Sequence, residues 1–128
     1  MKRGLQIGLA LFSLIPLYFG ITGLVFGLSL AEIEGPGLLA VDNQFRYLCA
    51  IYLLVAFILW SIIPDIERQG RTLALVLGVI FLGALARAWA AIEMGGFPDM
   101  QRNAMIVELC LPLFLIWQRL VARKAAAA

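Results

Sequence analysis

Four apolar stretches divide the chain. Gly4 to Ala31 carries no charge, and neither does Tyr47 to Ile63. Thr72 to Ile92 is interrupted only by Arg87, and Ala104 to Trp117 only by Glu108. With interfacial residues added, each stretch approaches the ~20 residues that cross a bilayer as a helix. A soluble helix of that length shows a polar face, and these do not. The pattern predicts an all-α fold, an integral membrane four-helix bundle. Residues 1–124 are expected to form a single transmembrane domain, and Ala125 to Ala128 carry no information. The first stretch is longer than the ~7–15 residues of a signal-peptide core, and no small-x-small cleavage site follows it. It is expected to be a retained helix.

Composition supports this reading. The chain is 63% hydrophobic and 14% charged over 128 residues, too little charge for a water-dispersed domain. The net charge of +2 hides an asymmetry. Lys2, Arg3, Arg68, Arg71, Arg119, Arg123 and Lys124 all fall on one side of a four-span topology. Glu32, Glu34, Asp42, Glu93 and Asp99 fall on the other, with Arg102 as its loop base. The positive-inside rule then puts both termini in the cytoplasm, with the acidic loops facing the periplasm or cell exterior. No basic run suggests a nucleic-acid partner.

His is absent, which removes the commonest general base and metal ligand. Cys49 and Cys110 stand alone, without the close spacing of a metal site. They are expected to be two small buried apolar side chains, with a redox pair as the alternative. No metal or other cofactor is expected.

Within the first span, Ser13, Pro16, Gly20, Gly23 and Gly27 alternate at three- and four-residue steps and so share one helical face. Gly23 to Gly27 is a GxxxG pattern, which lets another backbone approach closely. Pro16 is expected to kink the helix. The stripe continues to Glu34, where Glu34-Gly35-Pro36-Gly37 breaks the chain. Pro64-Asp65 and Gly95-Gly96-Phe97-Pro98 end the second and third helices, and Asp99 is a plausible N-cap for the fourth.

The charges inside the spans are the candidate chemistry, because a charge in hydrocarbon costs roughly 2.5–3.5 kcal/mol on insertion scales. Arg87 shares a mostly small face with Ile80, Gly83, Ala84 and Ala91. It lies six residues before Glu93, roughly 9 Å deep at a rise of about 1.5 Å per residue. Glu108 lies six residues after Arg102, at the same depth from the same side. Equal depth on antiparallel neighbours predicts an ion pair. Arg46 is expected at the outer start of the second helix, sharing a face with Asn43 and Cys49. There it would meet interfacial water and matter more to binding than to stability. With Asn103, these residues define an outer polar cluster: Asn43, Arg46, Arg87, Asn103 and Glu108. Two arginines against one glutamate leave positive charge for an anionic or polar head group. A buried network that only fixes helix register is the alternative.

Asn43, Arg46, Arg87, Gly96, Pro98 and Glu108 together resemble the pattern of a small bacterial four-helix membrane family known only as a domain of unknown function. More distantly, the chain is similar to DoxX-like membrane proteins. The likeness runs from Gly20 to Glu108. It implies a four-helix integral membrane protein and no particular activity.

Three functions remain open. The first is a non-catalytic membrane protein that binds a lipid or another amphipathic ligand in an outward-facing polar pocket, or serves a membrane protein partner as accessory subunit. The second is an enzyme using Glu108 as acid or base with Arg46 or Arg87 stabilising an anion. The third is an oligomeric transporter or channel subunit, since four helices are few for a monomeric pathway. Membrane lipid is an expected partner in each case, and a homo-oligomer is compatible with all three.

Overall fold

The computed structural model describes residues 1–31 and 35–128. The expectations placed on Glu32 and Glu34 lie outside the described residues. The chain forms α1 (Lys2–Phe26), a 3₁₀ turn (Gly27–Ala31), α2 (Leu38–Ile62), α3 (Gly70–Met94), α4 (Asp99–Leu109) and α5 (Pro112–Ala126). The spans Lys2–Ser29, Leu38–Ile62, Gly70–Met94 and Asp99–Ala126 are each long and apolar enough to cross a membrane. At about 1.5 Å per residue the 25-residue α3 is ~37 Å long, more than the ~30 Å hydrocarbon core. Its Leu75, Val79 and Leu82 are about two-thirds exposed. In water that face would be a large sticky patch; in a bilayer it is the lipid-facing surface. The protein is a multi-pass membrane protein.

Two compact units divide the chain. Residues 6–64 make a helical hairpin of α1 and α2. Ser13, Pro16, Gly20, Gly23 and Gly27 are all buried. The Trp60 indole N–H donates to Ser13 Oγ at 2.8 Å. A Cβ on Gly20 would lie 2.8 Å from Leu53 Cβ. One on Gly23 would strike Cys49 Sγ, and one on Gly27 would strike Asp42. Each step along α1 is thus matched by a reverse step along α2, so the pair is antiparallel and the small residues set its closeness. At the other end of the hairpin, Gln6 Nε2 donates to the Ile63 carbonyl at 2.9 Å. The helix runs unbroken through Pro16.

The second unit holds residues 1–5 and 65–128. Here α3 packs against both α4 and α5. Gln118 is buried, and its Nε2 donates to the Ile66 carbonyl at 3.0 Å, tying α5 to the turn that precedes α3. A Cβ on Gly70 would sit 2.9 Å from Gln118 Oε1, so glycine is needed for this approach. Lys2 Nζ donates to Glu67 Oε1 at 2.9 Å, and this bond holds the Glu67 carboxyl below its ordinary pKa.

Several expected boundaries move. The second helix begins at Leu38, not near Tyr47, because Asp42 and Arg46 neutralise each other on one helical face and the charges no longer end the helix. Asp99 is the first residue of α4 and makes no capping bond; it pairs instead with Arg102 at 2.9 Å. Gly83 is not a packing residue, since a Cβ there would meet nothing within 4 Å. Cys110 is exposed, in contrast to the buried Cys49, and both are free thiols. The fourth span is not one helix. It breaks at Cys110–Leu111, ahead of Pro112.

Candidate functional site

The break in the fourth span is built by Pro112. Proline has no backbone N–H, and its ring clashes with the carbonyl four residues earlier, here that of Glu108. The hydrogen bonds tighten to three-residue steps through the break. Leu111 N–H donates to the Glu108 carbonyl at 3.2 Å and Leu113 N–H to the Cys110 carbonyl at 3.0 Å. Glu108 therefore occupies the last turn of α4, inside a span. A helix C-terminus carries partial negative charge, which favours a cation there and opposes a carboxylate.

Arg87 supplies that cation from α3. Ala84 is buried one turn earlier, and Ala88 and Ala91 are half-buried, so small side chains line this part of α3. Arg87 Nε lies 3.2 Å from Glu108 Oε2. The contact is ionic and out of line for a hydrogen bond: Oε2 is buried and has no hydrogen-bond donor among the described residues. The two partners differ in exposure. The Arg87 side chain is 42% exposed and that of Glu108 10%. No hydrogen bond engages the two Nη groups of Arg87 among the described residues. The pair is thus a buried carboxylate facing a guanidinium whose outer edge is open.

Arg46 makes a second set of contacts, to Asp42 and to the end of α1. It belongs to the α1–α2 unit. Its Nε donates to Asp42 Oδ2 at 2.7 Å, while Nη1 donates to the Leu24 and Val25 carbonyls at 2.7 and 2.9 Å. Asp42 Oδ1 in turn accepts from the Leu28 N–H at 2.7 Å. Those two carbonyls lie at the end of α1, where the helix leaves acceptors unpaired and its dipole favours a cation. Gly27, at φ +58°, makes the left-handed turn that starts the 3₁₀ segment under this clamp. Through Nε and Nη1, Arg46 therefore ties α2 to the end of α1. Asp42 lies outside the apolar stretch, and its four-residue spacing from Arg46 is the sequence signal of this pair.

The five cluster residues are divided between the two units, Asn43 and Arg46 in one and Arg87, Asn103 and Glu108 in the other. Arg87 and Glu108 meet in one unit. Asn103 is in the same unit and exposed; Asn43 is exposed on α2 in the other. The spare positive charge also disappears, because each intramembrane arginine has its own carboxylate. Among the described residues, no group of three or more His, Cys, Asp or Glu is placed to hold a metal ion. An open groove of about 270 Å³, lined by Met1, Lys2, Val121, Lys124 and Ala125, lies at the other end of this unit and is remote from Glu108.

Residues 4–118 match the model of one family, described as a domain of unknown function, DUF4345. No curated protein and no solved structure matches the chain.

Proposed function

This chain belongs to the DUF4345 family, a domain of unknown function, and we propose that it is a non-catalytic membrane protein that binds the polar end of an amphipathic molecule at Arg87 and Glu108. One observation carries the reading. Arg87 stands inside a span with 42% of its side chain exposed, and neither Nη group has a hydrogen-bond acceptor among the described residues. Unpaired donors in hydrocarbon are costly, so something must complete them. An amphipathic ligand, or the polar group of a partner protein served as accessory subunit, does so. The carboxylate fixes the guanidinium so that its open edge is pre-oriented.

Native mass spectrometry of protein extracted gently into nanodiscs tests this. Wild type is expected to carry a bound small molecule or lipid, and Arg87→Gln to lose it while keeping its helical signal. Equal retention in a folded Arg87→Gln protein would remove Arg87 from the site.

The break at Cys110–Leu111 favours one second reading, an oligomeric transporter subunit. Interrupted spans in transporters commonly flank substrate sites. Solute flux in liposomes carrying the purified protein would favour it over simple binding.

A bacterial inner membrane and kinship with DoxX-like proteins complete the reading, both supported by the pattern of Asn43, Arg46, Arg87, Gly96, Pro98 and Glu108. The orientation rests on charge. Seven of the ten Lys and Arg residues fall on one side, so both termini are assigned to the cytoplasm. Cysteines introduced at Pro36 and Arg68 should be labelled from outside and from the cytoplasm respectively; the reverse pattern would invert the topology.

A further inference from the structure

We propose that the head group taken at Arg87 is net neutral and presents carbonyl or ester oxygens, not a phosphate or another anion. The proposal rests on the binding role assigned above to Arg87 and Glu108, and three observations lead to it.

The first is charge. Arg87 and Glu108 cancel at 3.2 Å. Toward the adjoining loop, the charged residues on α3 and α4 are Glu93, Asp99 and Arg102, and Arg102 is bound to Asp99 at 2.9 Å. Among the described residues of this unit that leaves Glu93 without an ion pair, so an anion arriving along α3 and α4 meets a neutral pair with negative charge above it. Coulomb repulsion is poorly screened at the edge of hydrocarbon.

The second is hydrogen-bond inventory. A guanidinium has five N–H donors and no acceptor. Nε faces Glu108, and the Nη groups make no hydrogen bond among the described residues. Glu108 Oε2 is buried and out of a ligand's reach. With the Glu108 side chain 10% exposed against 42% for Arg87, the site offers chiefly donors and asks the ligand for acceptors.

The third is depth. Arg87 is six residues below Glu93, roughly 9 Å along α3. Each interfacial layer of a bilayer is only about 5–8 Å thick, taking half the difference between total and hydrocarbon thickness. Arg87 thus stands below the phosphate level, where acyl esters and other neutral carbonyls already lie. A phosphate would have to be drawn down and desolvated to reach it.

Two sources share this chemistry, an acylglycerol and a lipophilic quinone, and the experiment separates them. Purified protein in dodecyl maltoside is titrated with dioctanoylglycerol, decylubiquinone and dioctanoyl-phosphatidylglycerol, following the thermal midpoint and the mass of the complex. At least one neutral probe should bind wild type about tenfold more tightly than phosphatidylglycerol does. Whichever neutral probe binds identifies the source, and Arg87→Gln should abolish its binding. Glu108→Gln leaves Arg87 unbalanced and should shift the preference toward phosphatidylglycerol. Tighter binding of phosphatidylglycerol by wild type would overturn the neutral class while leaving Arg87 a binding residue. No shift with any probe on wild type would overturn both readings. The wild-type comparison decides the class even where a variant fails to fold.

Discussion

Gly27→Ala should be among the most destabilising single-methyl additions in this protein. Two penalties act together. The residue sits at φ +58°, where an L side chain costs ~1–2 kcal/mol. Its new Cβ would strike Asp42 and the Arg46 guanidinium, and overpacking of this kind costs ~1–3 kcal/mol. The expected loss is about 3 kcal/mol, read as a lower unfolding midpoint in a detergent titration. Gly23→Ala should follow, because its Cβ meets Cys49 Sγ, and Cys49→Ala should restore part of that loss by removing the sulfur. Gly78→Ala is the internal control. Nothing lies within 4 Å of its Cβ position, so helix propensity alone acts and the change should stabilise by ~0.5–1 kcal/mol. Arg46→Ala should lower the midpoint too, since it strips the Leu24 and Val25 carbonyls of their donor. Equal effects at Gly27 and Gly78 would mean that the α1–α2 contact is not what these glycines serve.

The contrast between those glycines shows what a sequence carries and what it omits. The Ser13-to-Gly27 stripe is legible because a helix repeats its face every three to four residues, so five small residues in phase announce a close approach. Gly83 looks the same in isolation, yet it is exposed on α3. Small size alone does not say which face a neighbour covers. The Arg87–Glu108 contact is legible by depth: antiparallel spans entering from one side bring equally deep residues level. Arg46 misleads for the opposite reason. Hydropathy ends the apolar stretch at its charge, so the helix seems to start there. In fact α2 begins at Leu38 and the Asp42–Arg46 pair rides inside it. Pro112 hides in the apolar run Leu111-Pro112-Leu113, where hydropathy stays high while the backbone loses an N–H. A breaker must be read by its geometry, because its polarity gives no warning. The break matters for the site, since it places Glu108 at a helix end and gives the Arg87 charge a second reason to be there.

The deepest test of that arrangement is a double-mutant cycle on Arg87 and Glu108. Arg87→Leu leaves a buried carboxylate with no counter-charge, at the negative end of α4. Breaking a fully buried pair in this way costs ~3–5 kcal/mol. The open edge of Arg87 already meets its surroundings, so the expected loss is at the lower end, about 3 kcal/mol. Glu108→Gln should cost less, because the amide oxygen still faces the guanidinium and only charge is removed. The double variant should then be more stable than the sum of the single losses implies, with a coupling of ~0.5–3 kcal/mol. Additive losses would show that the 3.2 Å approach contributes no energy. Pro112→Ala separates the pair from the break. If the break is what orients Glu108, restoring a continuous helix should shrink the coupling while leaving both charged residues in place. An unchanged coupling would mean that α3 alone positions the contact, and the interrupted span would then need another purpose.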